Sequence, residues 1–68
     1  MINTAKIRGR IAEKGLTLQS LSKELNISPY TLERKISGQS KMTLEEAELL
    51  QYFLAIPDGN FEEYFFYS

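Results

Sequence analysis

The side chains able to do chemistry in this chain crowd between positions 28 and 41: Ser28, Tyr30, Thr31, Glu33, Arg34, Lys35, Gln39, Ser40 and Lys41. Their chemistry is charge and hydrogen bonding rather than bond making. The chain has no cysteine and no histidine, which removes thiol nucleophiles, disulfide staples, soft-metal sites and the usual general base. Its carboxylates fall on an expected helix face without a cleft signature, so we expect no enzyme, and nothing in the sequence calls for a cofactor or a metal. What the group can do is bind. An arginine fork grips two acceptors at once, a lysine neutralises an anion as a point charge, and hydroxyls and amides donate to phosphate oxygens.

The formal net charge of −1 argues against an anionic ligand only until its distribution is read. Positions 1–41 hold all eight basic residues against three acids, a net +5, and positions 42–68 hold six acids and no base. This segregation predicts that the two parts face different partners, over the blander alternative that they pair within the fold. Lys6, Arg10 and Lys14 recur every fourth residue and form either a basic stripe or, the favoured reading, an ordinary solvated face.

The elements that must position these groups are helical, since no useful segment alternates with period two. Asn3 or Thr4 caps a first helix over 4–14, with Ile7 and Ile11 inward and Gly15 ending it. Thr17 caps a second helix over 18–25, with Leu18, Leu21 and Leu25 at helical spacing, and Asn26 stops it because asparagine tolerates positive φ. Ser28-Pro29 is a strong start signal for a third helix over 29–37, carrying Leu32 and Ile36 inward and closed by Gly38. Thr43 with Glu46 makes a capping box for a fourth helix to about residue 55, with Ala47, Leu50 and Leu54 inside. Pro57 and Asp58 break it, and Asp58 or Asn60 starts a short fifth turn. The expectation is an all-α protein, one domain over 1–68 built as a compact bundle of four to five short helices.

The string LTLQSLSKELNISPYTLERKISG at 16–38 resembles the helix-turn-helix of the Cro and lambda-repressor-like family, also called the XRE family. Leu16-Thr17 opens the first helix of the motif, Leu21 and Leu25 pack it, Asn26-Ile27-Ser28 forms the tight turn, and Thr31-Leu32 followed by Ile36-Ser37-Gly38 matches the recognition helix and its exit. The resemblance covers roughly residues 4–56, with the motif proper at 17–38. The chain departs from the family where Leu18 replaces a common glutamine, with Gln19 one step later, where Ser22 and Asn26 replace small residues, and where Pro29 takes a base-reading slot.

The resemblance implies a sequence-specific, duplex-DNA-binding transcriptional regulator, repressor-like and of phage type, with helix 29–37 in the major groove. Pro29, Tyr30, Glu33 and Arg34 are then the candidate base readers. Arg34 comes first, for guanine O6 and N7; Pro29 suits a thymine methyl, and Tyr30 a base edge or a phosphate. Glu33 either accepts from cytosine or orients Arg34 or Lys35. Thr17, Gln19, Ser28, Thr31, Lys35, Gln39, Ser40 and Lys41 are the candidate phosphate contacts. The implied setting is the cytoplasm of a bacterial or phage-infected cell. Lys6, Arg8 and Arg10 interrupt any apolar run near the N-terminus, so we expect no signal peptide there, and no run approaches the roughly 18 apolar residues of a membrane span.

Five of the eight aromatic residues, Phe61, Tyr64, Phe65, Phe66 and Tyr67, crowd the acidic end at 57–68 beside Glu62 and Glu63. A chain this short buries only about 60% of its unfolded surface. We expect Phe61, with Phe65 or Phe66, to cover the first or fourth helix, and the remaining rings to meet a second chain. That chain is either a twin, giving a homodimer on a pseudo-palindromic operator, or another regulator or a toxin captured by an antirepressor- or antitoxin-like module.

Overall fold

The computed structural model describes residues 2–66. It contains α1 (Thr4–Glu13), α2 (Leu18–Leu25), α3 (Pro29–Ile36), α4 (Leu44–Phe53) and α5 (Phe61–Phe65), with a 3₁₀ turn at Asp58–Asn60 running into α5. The protein is all-helical, as the spacing predicts, and no strand occurs among the described residues. No helix among them is long and apolar enough to cross a membrane.

Four of the helices start where a short polar side chain can accept an orphan amide. Asn3 accepts from Lys6 N–H, Thr17 from Ser20 N–H, Ser28 from Thr31 N–H and Thr43 from Glu46 N–H. The boxes at Thr17 and Thr43 are reciprocal, with the Ser20 and Glu46 side chains returning to the cap N–H. The turn from α2 to α3 is three residues long because Asn26 takes the left-handed conformation at φ 60°. Half-buried Ile27 then packs against the core.

One core joins all five helices: Ile7 and Ile11 of α1, Leu21 and Leu25 of α2, Leu32 and Ile36 of α3, Ala47 and Leu50 of α4, then Leu54, Ile56 and Phe65. Every inward position expected from helical periodicity is buried except Leu18, which packs at the margin. Ser22 is the buried polar residue, and its hydroxyl is satisfied by donating to the Gln19 carbonyl at 2.8 Å.

The fourth helix stops two residues short of expectation, at Phe53. The cause lies outside α4. Ala55 adopts φ 53°, its N–H donates to the Tyr52 carbonyl, and the Ile56 N–H donates to the Gln51 carbonyl. Arg10 of α1 then covers the freed end, donating from Nε to the Leu54 carbonyl at 2.8 Å and from Nη2 to the Ala55 carbonyl at 2.7 Å. The third helix ends at Ile36 with Ser37 as its cap, one residue earlier than expected, because Gly38 turns left-handed at φ 86°.

The aromatic end closes the core to a greater extent than expected. Phe65 is 6% exposed, Phe61 lies on it with ring centroids 4.8 Å apart, and Tyr64 packs against the cluster. The Asn3 N–H donates to the Tyr64 carbonyl at 2.8 Å, so the two ends of the described chain are joined through backbone. Phe66 is turned outward, 57% exposed, and Tyr67 lies outside the described residues. Of the four described rings, all candidates for a partner interface, Phe65 is core and Phe61 half-buried against it as expected, Tyr64 is half-buried as well, and Phe66 alone remains largely free.

Three substitutions test this packing. Phe65→Ala should cost about 3–5 kcal/mol, comparable to the whole stability of a domain this small, so the variant and a chain cut after Asn60 should both lack a cooperative thermal transition. Phe66→Ala should stay within about 0.5 kcal/mol of the wild type in the same melts. At Ala55, a left-handed residue with a Cβ is strained by roughly 1–2 kcal/mol, partly offset by glycine's greater freedom in the unfolded chain. Ala55→Gly should raise stability by up to about 1 kcal/mol, read as a melting temperature several degrees higher.

Candidate nucleic-acid interface

The geometry of α3 decides which of the candidate contacts are available. Leu32 and Ile36 are fully buried, and at about 100° per residue this sends Glu33 to one flank of the helix, Lys35 to the other, and Tyr30 and Arg34 outward. Each flank meets a neighbour. Arg8 of α1 donates to Glu33 in a two-pronged pair, Nη1 to Oε1 at 3.0 Å and Nη2 to Oε2 at 2.6 Å. On the other flank, Lys35 Nζ donates to Glu46 Oε1 at 2.9 Å and to the Lys41 carbonyl at 3.3 Å. The Thr4 hydroxyl adds a third tie by donating to the Ile36 carbonyl at 2.6 Å.

These ties bear on two of the sequence assignments. Glu33 orients neither Arg34 nor Lys35. Its carboxylate is held by Arg8, and that hydrogen bond, ahead of any other cause, draws its pKa below the ordinary carboxylate value. Lys35 is not a free phosphate contact. Its side chain is 15% exposed against 17% for Glu46, which is a sheltered pair rather than a solvated charge. Burial pushes the Glu46 carboxyl up, but the Lys35 ammonium and the Thr43 N–H together outweigh it, and the net shift is downward.

The two halves of the charge pattern also meet within the fold. Lys35 pairs with Glu46, and Lys6 with Glu63 at 3.3 Å while lying 4.9 Å from the centre of the Tyr64 ring. The basic stripe on α1 dissolves in the same way, since Lys6 goes to α5 and Arg10 to the end of α4, leaving Lys14. Sequence spacing carried no signal for the Arg8–Glu33 tie or the Arg10 cap, because each joins residues 25 to 45 positions apart.

What remains free on and beside α3 is a compact set. Tyr30 is 71% exposed. Arg34 lies beside it with Cζ 5.9 Å from the ring centre, and reaches forward to the loop, Nε to Ser40 Oγ at 3.2 Å and Nη1 to Gln39 Oε1 at 3.1 Å. Pro29 and Ser28 are exposed at the start of α3, where the Ser28 hydroxyl donates to Thr31 Oγ1 at 2.9 Å. Lys41 is exposed and has no ion-pair partner among the described residues. Thr17 and Gln19 are exposed at the start of α2, where the Thr17 hydroxyl is engaged in its cap. The structure thus brings Tyr30, Arg34, Gln39 and Ser40 into one group, and takes Glu33 and Lys35 out of it.

A surface that the sequence reading missed lies on α4. With Ala47, Leu50 and Leu54 inward, the outward face carries Glu45, Glu48, Leu49 and Tyr52, the last 77% exposed. Helical periodicity held this signal, because an inner stripe at those positions leaves Leu49 and Tyr52 on the opposite side.

Because the Glu46 pKa is lowered by folding, its contribution is present above the ordinary value of 4.5 and lost as pH falls through the folded value. Glu46→Gln, which keeps an acceptor for the cap and removes the charge, should be less stable than wild type at about pH 6, and the gap should narrow as pH falls below 4.5. Thermal melts across that range check this. The chain matches no protein-family model, no curated protein and no solved structure, so the site is read from its own geometry.

Proposed function

We propose that this protein is a sequence-specific duplex-DNA-binding transcriptional regulator that lays α3 in the major groove as the second helix of a helix-turn-helix. The observation that carries the reading is the outward face of α3. There, exposed Tyr30 in the first turn and half-buried Arg34 in the last both face away from the core, while Glu33 and Lys35 are paired with neighbouring helices. A helix reads bases mainly from its N-terminal turns and the groups projecting there, and Tyr30 at the start of a firmly clamped helix, with Arg34 one turn behind it on the same face, suits that geometry. The phosphate contacts fall to exposed Lys41 after α3, exposed Ser28 and half-buried Thr31 in its first turn, and exposed Thr17 and Gln19 at the start of α2.

In this reading two copies bind a pseudo-palindromic operator with half-sites about 34 Å apart. The surface for the twin is Phe66 together with the groove it lines, about 540 Å³ in volume, beside Ile2, Met42 and Leu44. A second reading is an antirepressor- or antitoxin-like module that holds another protein. One observation favours it, the outward face of α4, where Leu49 and Tyr52 lie on the same side as Glu45 and Glu48 and suit a basic, apolar partner.

Titration of the purified protein against random and selected duplexes over a range of salt tests the first reading. The slope of log affinity against log salt should fall by about 0.9 in Lys41→Gln, on operator and random DNA alike. Lys35→Gln should leave that slope unchanged and lower stability instead, by about 1–2 kcal/mol, through loss of the sheltered pair with Glu46. A wild-type protein that binds no duplex at low salt overturns the proposal and leaves the protein-partner reading.

A further inference from the structure

We infer that Tyr30 and Arg34, with Gln39 and Ser40 holding the arginine, form one reader for a base-pair step in which a thymine neighbours a guanine. This rests on the duplex-binding reading above and deepens it. The Arg34 guanidinium has five N–H donors. Nε is given to Ser40 Oγ and one Nη1 donor to Gln39 Oε1. Nη2 has no partner among the described residues. The unengaged donors are left for acceptors beyond the protein, and guanine offers two together, O6 and N7.

The loop that holds the side chain is itself hung from the same residue. The Arg34 carbonyl accepts from the Gln39 N–H at 2.8 Å and the Ser40 N–H at 3.1 Å. Backbone and side chain of residue 34 therefore bind the same two loop residues, and the arginine is restrained before any ligand arrives. An arginine free in water gives up rotamer freedom on docking, whereas one already restrained loses less. Gln39 and Ser40 thus act as positioning residues for Arg34, in place of the phosphate contacts expected from the sequence.

Tyr30 supplies the second half of the reader. It sits one turn before Arg34 on the outward face, with its ring exposed and 5.9 Å from the guanidinium carbon. An apolar ring edge in the major groove matches the thymine C5-methyl group. Successive base pairs stack about 3.4 Å apart, so two laterally offset groups this close address neighbouring pairs rather than distant ones.

Enrichment of bound duplexes from a randomised pool by the full chain, followed by titration of the winning duplex, tests this. Enriched sites should share the thymine–guanine step. Replacing that thymine by uracil, which removes only the methyl, should weaken wild-type binding a few-fold and leave Tyr30→Ser unaffected. Replacing the guanine by 7-deazaguanine should cost the wild type about tenfold and Arg34→Lys much less. Gln39→Ala with Ser40→Ala should lower the ratio of specific to random affinity a few-fold while random-DNA affinity and salt slope stay unchanged, which loss of phosphate contacts would not do. Enriched sites lacking the step, or a Gln39/Ser40 loss shared equally by random DNA, overturn the inference while duplex binding stands. Absence of binding to any duplex overturns both.

Discussion

The rotation of α3 about its own axis is the constraint on which the rest of this structure depends. Leu32 and Ile36 are one turn apart and fully buried, so they allow the helix one orientation against the core. Every other side chain on α3 then has its direction set by helical geometry. Glu33 turns to α1 and Lys35 to α4, and Tyr30 with Arg34 faces away from both. A different pair of inward residues would aim a different set of groups at solvent, and the same sequence of charges would offer a different surface.

The ion pairs on the two flanks reinforce that orientation. Exposed pairs contribute little to stability, typically below about 1 kcal/mol, and Arg8–Glu33 and Lys6–Glu63 belong to that class. Lys35–Glu46 is different because it is sheltered and because Glu46 serves two ends at once. It accepts from Lys35 and from the Thr43 N–H, and the second bond completes the box that starts α4. This carboxylate couples the end of α3 to the start of α4, and the Lys35 ammonium ties in the loop at the Lys41 carbonyl. The loop that holds Arg34 is thereby framed by a fixed helix on either side.

A chain this short has little apolar surface to bury, and its ends are used accordingly. The Asn3 N–H meets the Tyr64 carbonyl, Phe65 enters the core, and Arg10 reaches across from α1 to close the carbonyls at the end of α4. The aromatic end is thus part of the fold for most of its described length. Among the described residues, large apolar side chains remain exposed at Phe66 and Leu44 beside its groove, on the outward face of α4, and at Tyr30 on α3.

Local rules were enough to read the helices from the amino-acid order. Caps at Asn3, Thr17, Ser28 and Thr43, the left-handed Asn26, and the inward stripes all depend on neighbours within about four residues, and the sequence displays those directly. The outward placement of Tyr30 and Arg34 was legible for the same reason. Which charges stay free was not. Glu33 and Lys35 are as polar as Arg34 and lie beside it, and only the arrival of Arg8 from 25 residues upstream and Glu46 from 11 downstream pairs the first at the surface and shelters the second. The even split of charge at position 41 suggested two independent faces, whereas packing folds the halves onto each other and pairs Lys6 and Lys35 with acids of the second half. Phe65 and Phe66 are adjacent and chemically identical, so no local rule could rank them. Their opposite fates follow from the turn of α5 against α1, which points one ring into the core and the next out of it.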